Sequence, residues 1–320
     1  MQVGPKVSVI VPNYNHARFL RKRMNTVLEQ TYTDIEIVIL DDCSDDSSIE
    51  VLAGYKSDPR VSHFVVNEIN GGSPFRQWKK GVDLAKGRYI WIAESDDYAD
   101  PHLLERLVPI LDERSDVGIA YVDSFEVDQH GEKIPLAEKE SKAADQSQYS
   151  FLMEGHKAIT ELMFDRNAIP NASAVLFRKK IFDSIPMSYL GMRVIGDWLV
   201  WIEMLKRSNL YFCAEKLNYF RYHPAVTRIH KTNEKRLQVY AERYVILNSL
   251  EDILELRGRV NAEYDTLAYK TLKRLGLRRI VSPAAWKIGR RVSQYDGLFF
   301  ARICKAIWTR FRNRAKKNNK

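Results

Sequence analysis

Cysteine is scarce. The three residues present, Cys43, Cys213 and Cys304, are odd in number and lack metal-ligand spacing, which argues against a disulfide scaffold or zinc ribbon and for a reducing compartment. Long apolar runs are missing too: nowhere do about 18 apolar residues follow one another, so no membrane-spanning helix is expected. The N-terminus enters a strand-like run at 7–11 without the basic and apolar layout of a secretory signal, so the expected location is the cytoplasm. Repeats and low-complexity stretches are also absent. What remains is ordinary globular composition, 45% hydrophobic and 28% charged over 320 residues, enough for one large α/β domain with an appendage or for two domains.

The net charge of +9 hides an asymmetry. Residues 1–220 carry 26 Lys and Arg against 33 Asp and Glu, whereas 221–320 carry 24 against 8. The basic final third suits an anionic membrane surface, a nucleic acid or a polyanionic glycan, and its hydrophobic pattern must choose among them.

Strand and helix signals alternate through the first hundred residues. β-Branched runs at 7–11, 35–40, 61–66 and 89–93 are separated by helical spacing at 17–30, 47–55 and 75–86. Such alternation predicts a doubly wound, mostly parallel sheet covered on both faces. A helix at 101–113, a strand at 117–122, a polar excursion over 125–149, a helix at 156–164 and strands at 174–177, 210–214 and 217–222 follow. A helix at 198–208 precedes the last two strands, and beyond about residue 229 the pattern is helical. Two regions are therefore expected, 1–228 as the α/β domain and 229–320 as a helical, basic C-terminal extension.

Three strand ends carry chemistry in the same direction: Pro12-Asn13-Tyr14-Asn15, Asp41-Asp42-Cys43-Ser44-Asp45 and Glu94-Ser95-Asp96-Asp97. In a parallel sheet these ends converge on the crevice where α/β proteins bind ligands. Clustered carboxylates suit a hard divalent cation, Mn²⁺ or Mg²⁺, holding a diphosphate. A solvated turn leading to a helix start at Asp100-Pro101 accounts for the acids equally well when they are taken alone. Tyr14 stacked on a flat heterocycle, with Asp42 accepting an imide N–H, is the corresponding reading of the first two ends.

The strings VSVIVPNYN (7–15), EIVILDDCSDDSS (36–48) and AKGRYIWIAESDD (85–97), with Gln30-Thr31 and the Asn-x-x-Asn-Gly-Gly loop, resemble the inverting family 2 glycosyltransferases of the GT-A fold over about residues 1–225. The resemblance implies a GT-A, Rossmann-like architecture and transfer of a hexose from a nucleoside diphosphate sugar, UDP-linked by preference. It implies uracil binding by Tyr14 and Asp42, with Pro12, Asn15, Asp41, Asn70, Gly71, Glu94, Ser95 and Asp97 around the donor. It implies a metal on Asp96, the last acid of a D-x-D motif whose first position here is Glu94. The family's ARNxG stretch is replaced by Phe75-Arg76-Gln77-Trp78-Lys79-Lys80-Gly81, where Arg76 or Lys79 remains as a diphosphate neutraliser, an exposed basic helix face being the other reading.

Gly196-Asp197-Trp198-Leu199 is similar to the family's catalytic-base motif, which makes Asp197 the expected base; it also suits a helix N-cap. No Q-x-x-R-W motif follows, which disfavours a processive polymer synthase. Phe220-Arg221-Tyr222-His223 resembles an R-x-H element that implies a metal or diphosphate contact for His223, against a structural histidine beside Pro224. Family position places Asn171, Ser173, Arg178 and Trp198 on the acceptor side.

Leu298, Phe299, Phe300, Ile303, Cys304, Ile307, Trp308 and Phe311 recur at helical spacing, flanked by Arg302, Lys305, Arg310, Arg312 and Arg314. This amphipathic basic helix suits peripheral attachment of 294–317 to the inner face of the plasma membrane, or docking on the protein's own core. Nucleic acid is disfavoured because no stacking platform is interleaved with the charges. A glycan or polyprenyl-linked acceptor fits a cell-envelope role. Two other classes remain: a sugar nucleotidyltransferase, disfavoured because Pro12-Asn13-Tyr14-Asn15-His16 replaces a glycine-rich basic loop, and a membrane-surface interaction protein with a non-catalytic transferase-like domain.

Overall fold

The computed structural model describes residues 4–134, 149–223, 232–275 and 283–318. Two compact units emerge, Met1–Arg193 with Val200–Val226, and Val194–Leu199 with Thr227–Lys320. The segment Val194–Leu199, expected in the first region, belongs with the second because buried Glu242 accepts hydrogen bonds from the backbone N–H groups of Val194 and Ile195 at 3.0 and 2.9 Å.

In the first unit, β1 (Val7–Asn13), β2 (Ile35–Asp41) and β4 (Tyr89–Ile92) are buried along their whole lengths, as strands covered on both faces must be. They are joined by α1 (Ala17–Leu28), α2 (Ser48–Ala53), β3 (Val61–Val66) and α3 (Pro74–Leu84). A two-residue strand β5 (Tyr98–Ala99), α4 (Leu103–Glu113), β6 (Val117–Val127), β7 (Phe151–Met153), β8 (Val175–Arg178) and β9 (Asn209–Arg221) complete a nine-stranded sheet. Its order is β3-β2-β1-β4-β8-β6-β9-β5, with β7 on β9. β1 pairs parallel to both β2 and β4, so the carboxyl ends of all three emerge on one edge. The register sets Asn13 beside Asp41, and the β4 ladder stops at Ile10↔Ile92, leaving Pro12 past it. β8 runs antiparallel between β4 and β6.

Two helices place site residues directly. α1 buries Phe19, Leu20, Met24 and Val27, each contributing about 1.5–3 kcal/mol if fully withdrawn from water. α3 buries Phe75, Gln77 and Trp78 and approaches β1 so closely that a Cβ on Gly81 would lie 2.4 Å from Ile10 Cγ2.

Several elements differ from expectation. β9 is one 13-residue strand rather than two, with the register shifts of its β6 ladder passing over Ala214-Glu215 and Leu217 while Lys216 stays opposite Asp123. β6 runs on to Val127, which bridges Lys133, and most of the excursion, 135–148, lies outside the described residues. The helix expected at 156–164 starts as Gly155–Ala158 and continues as the π-helical turn Ile159–Met163.

The second unit is helical: Asn233–Leu250, Arg257–Leu275, Pro283–Ser293 and Phe299–Asn318. Its core stacks Tyr244 on Tyr264 at 5.4 Å, with Phe299 edge-on to Tyr244. Arg302 joins Asp265 and Asp296 at 2.7 and 3.1 Å. The last helix therefore docks by one face, burying Phe299 and Ala306, while Leu298, Phe300 and Trp308 stay exposed. The side chains of Arg310, Phe311 and Arg314 lie outside those described. Among the described residues no helix is long and apolar enough to cross a membrane.

Candidate active site

At the end of β1 the chain turns through two left-handed residues that are not glycine, Asn15 at φ 57° and, across from it after β2, Cys43 at φ 64°. Hydrogen bonds hold both turns. Asn15 donates its N–H to Ser44 Oγ at 2.9 Å and accepts the Asp45 N–H on Oδ1 at 2.9 Å. Asp41 accepts from Asn13 Nδ2 and Ser44 Oγ on Oδ2 (both 2.7 Å) and from Ser44 N on Oδ1. With both oxygens engaged and only 1% of the residue exposed, Asp41 is a brace for the two turns, a correction to its expected contact with a ligand. Tyr14, between the braced positions, is 48% exposed.

Asp42 is organised differently. Asn67 Nδ2, Gly71 N and Gln77 Nε2 all donate to its Oδ1, at 2.7, 2.8 and 2.7 Å, while Asn70 Nδ2 donates to its backbone oxygen at 3.0 Å. The carboxylate is held firmly by one oxygen, and no described residue donates to Oδ2. A Cβ on Gly71 would meet Oδ1 at 3.3 Å, so glycine lets the loop close on the acid. Gln77 escaped the sequence reading, although a polar residue on the buried face of an amphipathic helix was its signal. Arg76 and Lys79 face outward instead. Arg76 donates to Leu190 O and Gly71 O, Lys79 pairs with Asp83, and with Lys80 and Leu84 they line an open depression of about 500 Å³.

The three acids after β4 have three different fates. Glu94 turns its carboxyl to Trp78, whose indole donates at 2.7 Å; burial, reinforced by the Asp96 charge, pushes it up to about 8. Asp97 accepts from Asn171 Nδ2 (2.8 Å), Ser173 Oγ (2.7 Å) and Arg221 N (2.9 Å), and burial followed by the Asp96 charge raises it to about 6. Asp97, Asn171 and Ser173 are each almost wholly buried and engage one another and the backbone N–H groups of Arg221 and Glu94, which corrects their expected donor and acceptor contacts.

Asp96 points elsewhere. Its Oδ2 lies 3.0 Å from His223 Nε2, and the His223 ring stands at 88° to that of His16 with centroids 5.4 Å apart. The ligand atoms of His16, Asp96 and His223 all lie within 4.8 Å of one another. Burial raises the Asp96 carboxyl, but the His223 hydrogen bond and the nearby His16 outweigh it and leave the value below the ordinary one. Burial lowers His16, against the pull of Asp96. Ser95, buried, places its Oγ 2.8 Å from His16 Nδ1, so it orients the ring rather than a ligand. Arg221 fixes the other partner: its guanidinium donates to the backbone oxygens of Asp96, Asp128 and Gln129, holding the end of β9 where His223 follows. Two imidazoles and one carboxylate at this separation fit a divalent cation.

Arg23 was not foreseen either. It is fully buried on α1, donates Nε to Glu94 O at 2.8 Å, and its two remaining nitrogens have no hydrogen-bond partner among the described residues. Burial lowers its guanidinium to about 10, opposed by Asp97, Asp96 and Glu94 in that order. It is the internal counter-charge of the acid cluster.

Arg178 is the clearest correction. It pairs with Tyr89 at the amino end of β4, the edge opposite the acids, and donates to Val117 O (2.6 Å), Arg114 O (2.8 Å) and Leu111 O. Its hydrogen bonds close the carboxyl end of α4, and no acceptor role fits them. Asp197 and Trp198 belong to the second unit: Asp197 lies in the first turn of the helix Gly196–Leu205, and Trp198 is buried beneath Arg243, whose guanidinium sits 4.1 Å from its ring. That burial does not suit an acceptor contact by Trp198.

The family model described as glycosyl transferase family 2 matches residues 8–185. An uncharacterised glycosyltransferase of Nostoc is 27% identical over 69% of this chain and 66% of its own length. The teichuronic acid biosynthesis glycosyltransferase TuaG of Bacillus subtilis, a putative assignment by its name, is 37% identical over 35% of this chain and 44% of its own. The chain thus spans two thirds or less of these curated relatives. Among solved structures, TarS 1–349 of Staphylococcus aureus with UDP-GlcNAc superposes with a TM-score of 0.60 at 18% identity, covering 93% of this chain and 81% of that one. The mannosyltransferase PcManGT of Pyrobaculum calidifontis, with GDP-Man and Mn²⁺, gives 0.56 at 14% identity, covering 96% and 88%. With the GT-A-like sheet, the loaded strand ends and more than half of its residues inside the family model, the chain belongs to glycosyl transferase family 2.

Proposed function

We propose that this chain is an inverting, divalent-metal-dependent glycosyltransferase. In this reading it moves a hexose from a UDP-sugar to a glycan or polyprenyl-linked acceptor in cell-surface polysaccharide synthesis. One observation carries the reading: the His16, Asp96 and His223 trio opens on the same sheet edge as half-exposed Tyr14 and braced Asp42. The Tyr14 ring stacks on the base and Asp42 Oδ2 accepts its imide N–H, with Pro12, Asn15, Asn70 and Gly71 shaping the pocket wall. Asp96 and His223 would hold a divalent cation, which would supply positive charge to the nucleoside diphosphate as a leaving group. Glu94 borders the donor, while Arg76 and Lys79 attract it from the rim. Asp197 takes the proton of the acceptor hydroxyl; its support is the Gly-Asp-Trp motif and a first-turn position that favours a carboxylate. The TarS complex with UDP-GlcNAc supports uridine, and the GDP-Man complex of PcManGT supplies the competing nucleotide for a test.

Titration calorimetry with UDP and GDP in the presence of Mn²⁺ is that test. UDP is expected to bind more tightly, and Tyr14→Ala to weaken UDP by the ~1–3 kcal/mol of a lost stacking platform without lowering thermal stability. Equal binding of both nucleotides, untouched by Tyr14→Ala, would remove the uridine reading.

The exposed Leu298 and Trp308, with Arg312 over the Trp308 ring at 5.4 Å, support peripheral attachment to anionic lipid. Leu298→Ser/Trp308→Ser is expected to reduce sedimentation with phosphatidylglycerol vesicles severalfold. Unchanged partitioning would leave the last helix as a docked element only.

A further inference from the structure

The acidic strand end accounts for Asp96 and the element after β9 for His223, whereas His16, the third member of the trio, comes from the start of α1. It occupies the N-cap of α1, a position where Ser, Asp or Asn normally satisfies a backbone N–H, yet its side chain makes no cap hydrogen bond. The ring is turned away from the helix it precedes. Its Nδ1 meets Ser95 Oγ at 2.8 Å, which leaves Nε2 for another partner. One of its ring nitrogens lies within 4.8 Å of the ligand atoms of both Asp96 and His223. Phe19 packs edge-on at 6.0 Å and backs the ring from α1. A braced imidazole with one nitrogen that no described residue bonds, beside a carboxylate and a second imidazole, is the arrangement of a ligand rather than of a cap.

We propose that His16 is a third protein ligand of the metal centre, through Nε2, and that the resulting two-imidazole, one-carboxylate set selects Mn²⁺ over Mg²⁺. The assignment rests on the metal-dependent reading above and deepens it. Mg²⁺ favours an all-oxygen octahedron and surrenders water reluctantly, whereas imidazole nitrogen suits the later divalent ions. With Asp96 alone, or Asp96 and one histidine, the preference would be weak; a second imidazole makes it strong.

The experiment is Mn²⁺ titration of the full chain followed by electron paramagnetic resonance, with and without UDP, comparing wild type with His16→Asn. Asparagine is a favoured N-cap, so this variant keeps α1 capped while removing the imidazole. The expected result is at least a tenfold weaker Mn²⁺ affinity in His16→Asn and a smaller Mg²⁺ excess needed to displace Mn²⁺. Spin-echo modulation is expected from two bound imidazole nitrogens in wild type and one in the variant. Unchanged Mn²⁺ affinity together with unchanged modulation in a folded His16→Asn protein would overturn the assignment while leaving the metal-dependent reading intact. Absence of Mn²⁺ uptake by wild type, with and without UDP, would overturn both.

Discussion

Asp197→Asn is expected to lower sugar transfer by about 10³-fold while the dissociation constant for the UDP-sugar stays within about twofold of wild type. The asymmetry follows from the chemistry. Inversion requires the acceptor oxygen to lose its proton as the bond to the anomeric carbon forms, and an amide cannot take that proton. In the proposed reading donor binding belongs to the strand ends of the first unit, and Asp197 is not one of those residues. The helix Gly196–Leu205 carries Asp197 in its first turn, so losing the carboxylate also forfeits ~0.3–1 kcal/mol of interaction with the helix dipole, visible as a small drop in Tm. Coupled detection of UDP release with acceptor, alongside calorimetry of donor binding, separates the two effects. Full turnover in a folded Asp197→Asn protein would show that another group is the base.

How far the sequence reaches is clearest at the strand ends. β1, β2 and β4 are read correctly from their apolar runs because burial on both faces leaves little choice of residue, and the parallel ladders then bring Tyr14, Asp42 and Asp96 to one edge. The sequence does not show how each carboxylate spends its lone pairs. Asp41 and Asp42 are adjacent and identical in type, yet the partners of Asp41 saturate both its oxygens while those of Asp42 converge on one. Asp97 is claimed by Arg221, 124 residues away, and by Asn171 and Ser173, whose chain positions suggest acceptor contacts. Arg23 sits in Arg21-Lys22-Arg23, a string that reads as a solvated helix face; only the fold shows that one of the three points inward at the acids. His16 was hidden for a related reason: at a helix start any polar residue passes for a cap, and the missing cap bond is a structural fact. In the last helix the amphipathic pattern is real, but one face divides between a docked strip at Phe299 and an exposed one at Leu298 and Trp308, a division periodicity cannot make.

Asp96→Asn is expected to have the other large effect, on both catalysis and electrostatics. Transfer should fall by about 10³-fold or more, since in the proposed reading the carboxylate would hold the metal and several kcal/mol of leaving-group stabilisation would depend on it. The same change tests the charge balance of the site without any donor present. Burial first, and the Asp96 charge next, hold Asp97 near 6 and Glu94 near 8, so neutralising Asp96 should lower both. Each is an acid raised above its ordinary value, and the folded chain therefore keeps protons that the unfolded chain has released. Their contribution to stability is fully present at low pH and is lost as pH rises from about 4 to about 8. In EDTA, urea titrations of wild type should show the unfolding free energy declining across that window, and Asp96→Asn should show a shallower decline. A steeper decline in the variant, or none in wild type, would mean that Arg23 and Arg221 already neutralise the acids, and that Asp96 contributes geometry to the site rather than charge.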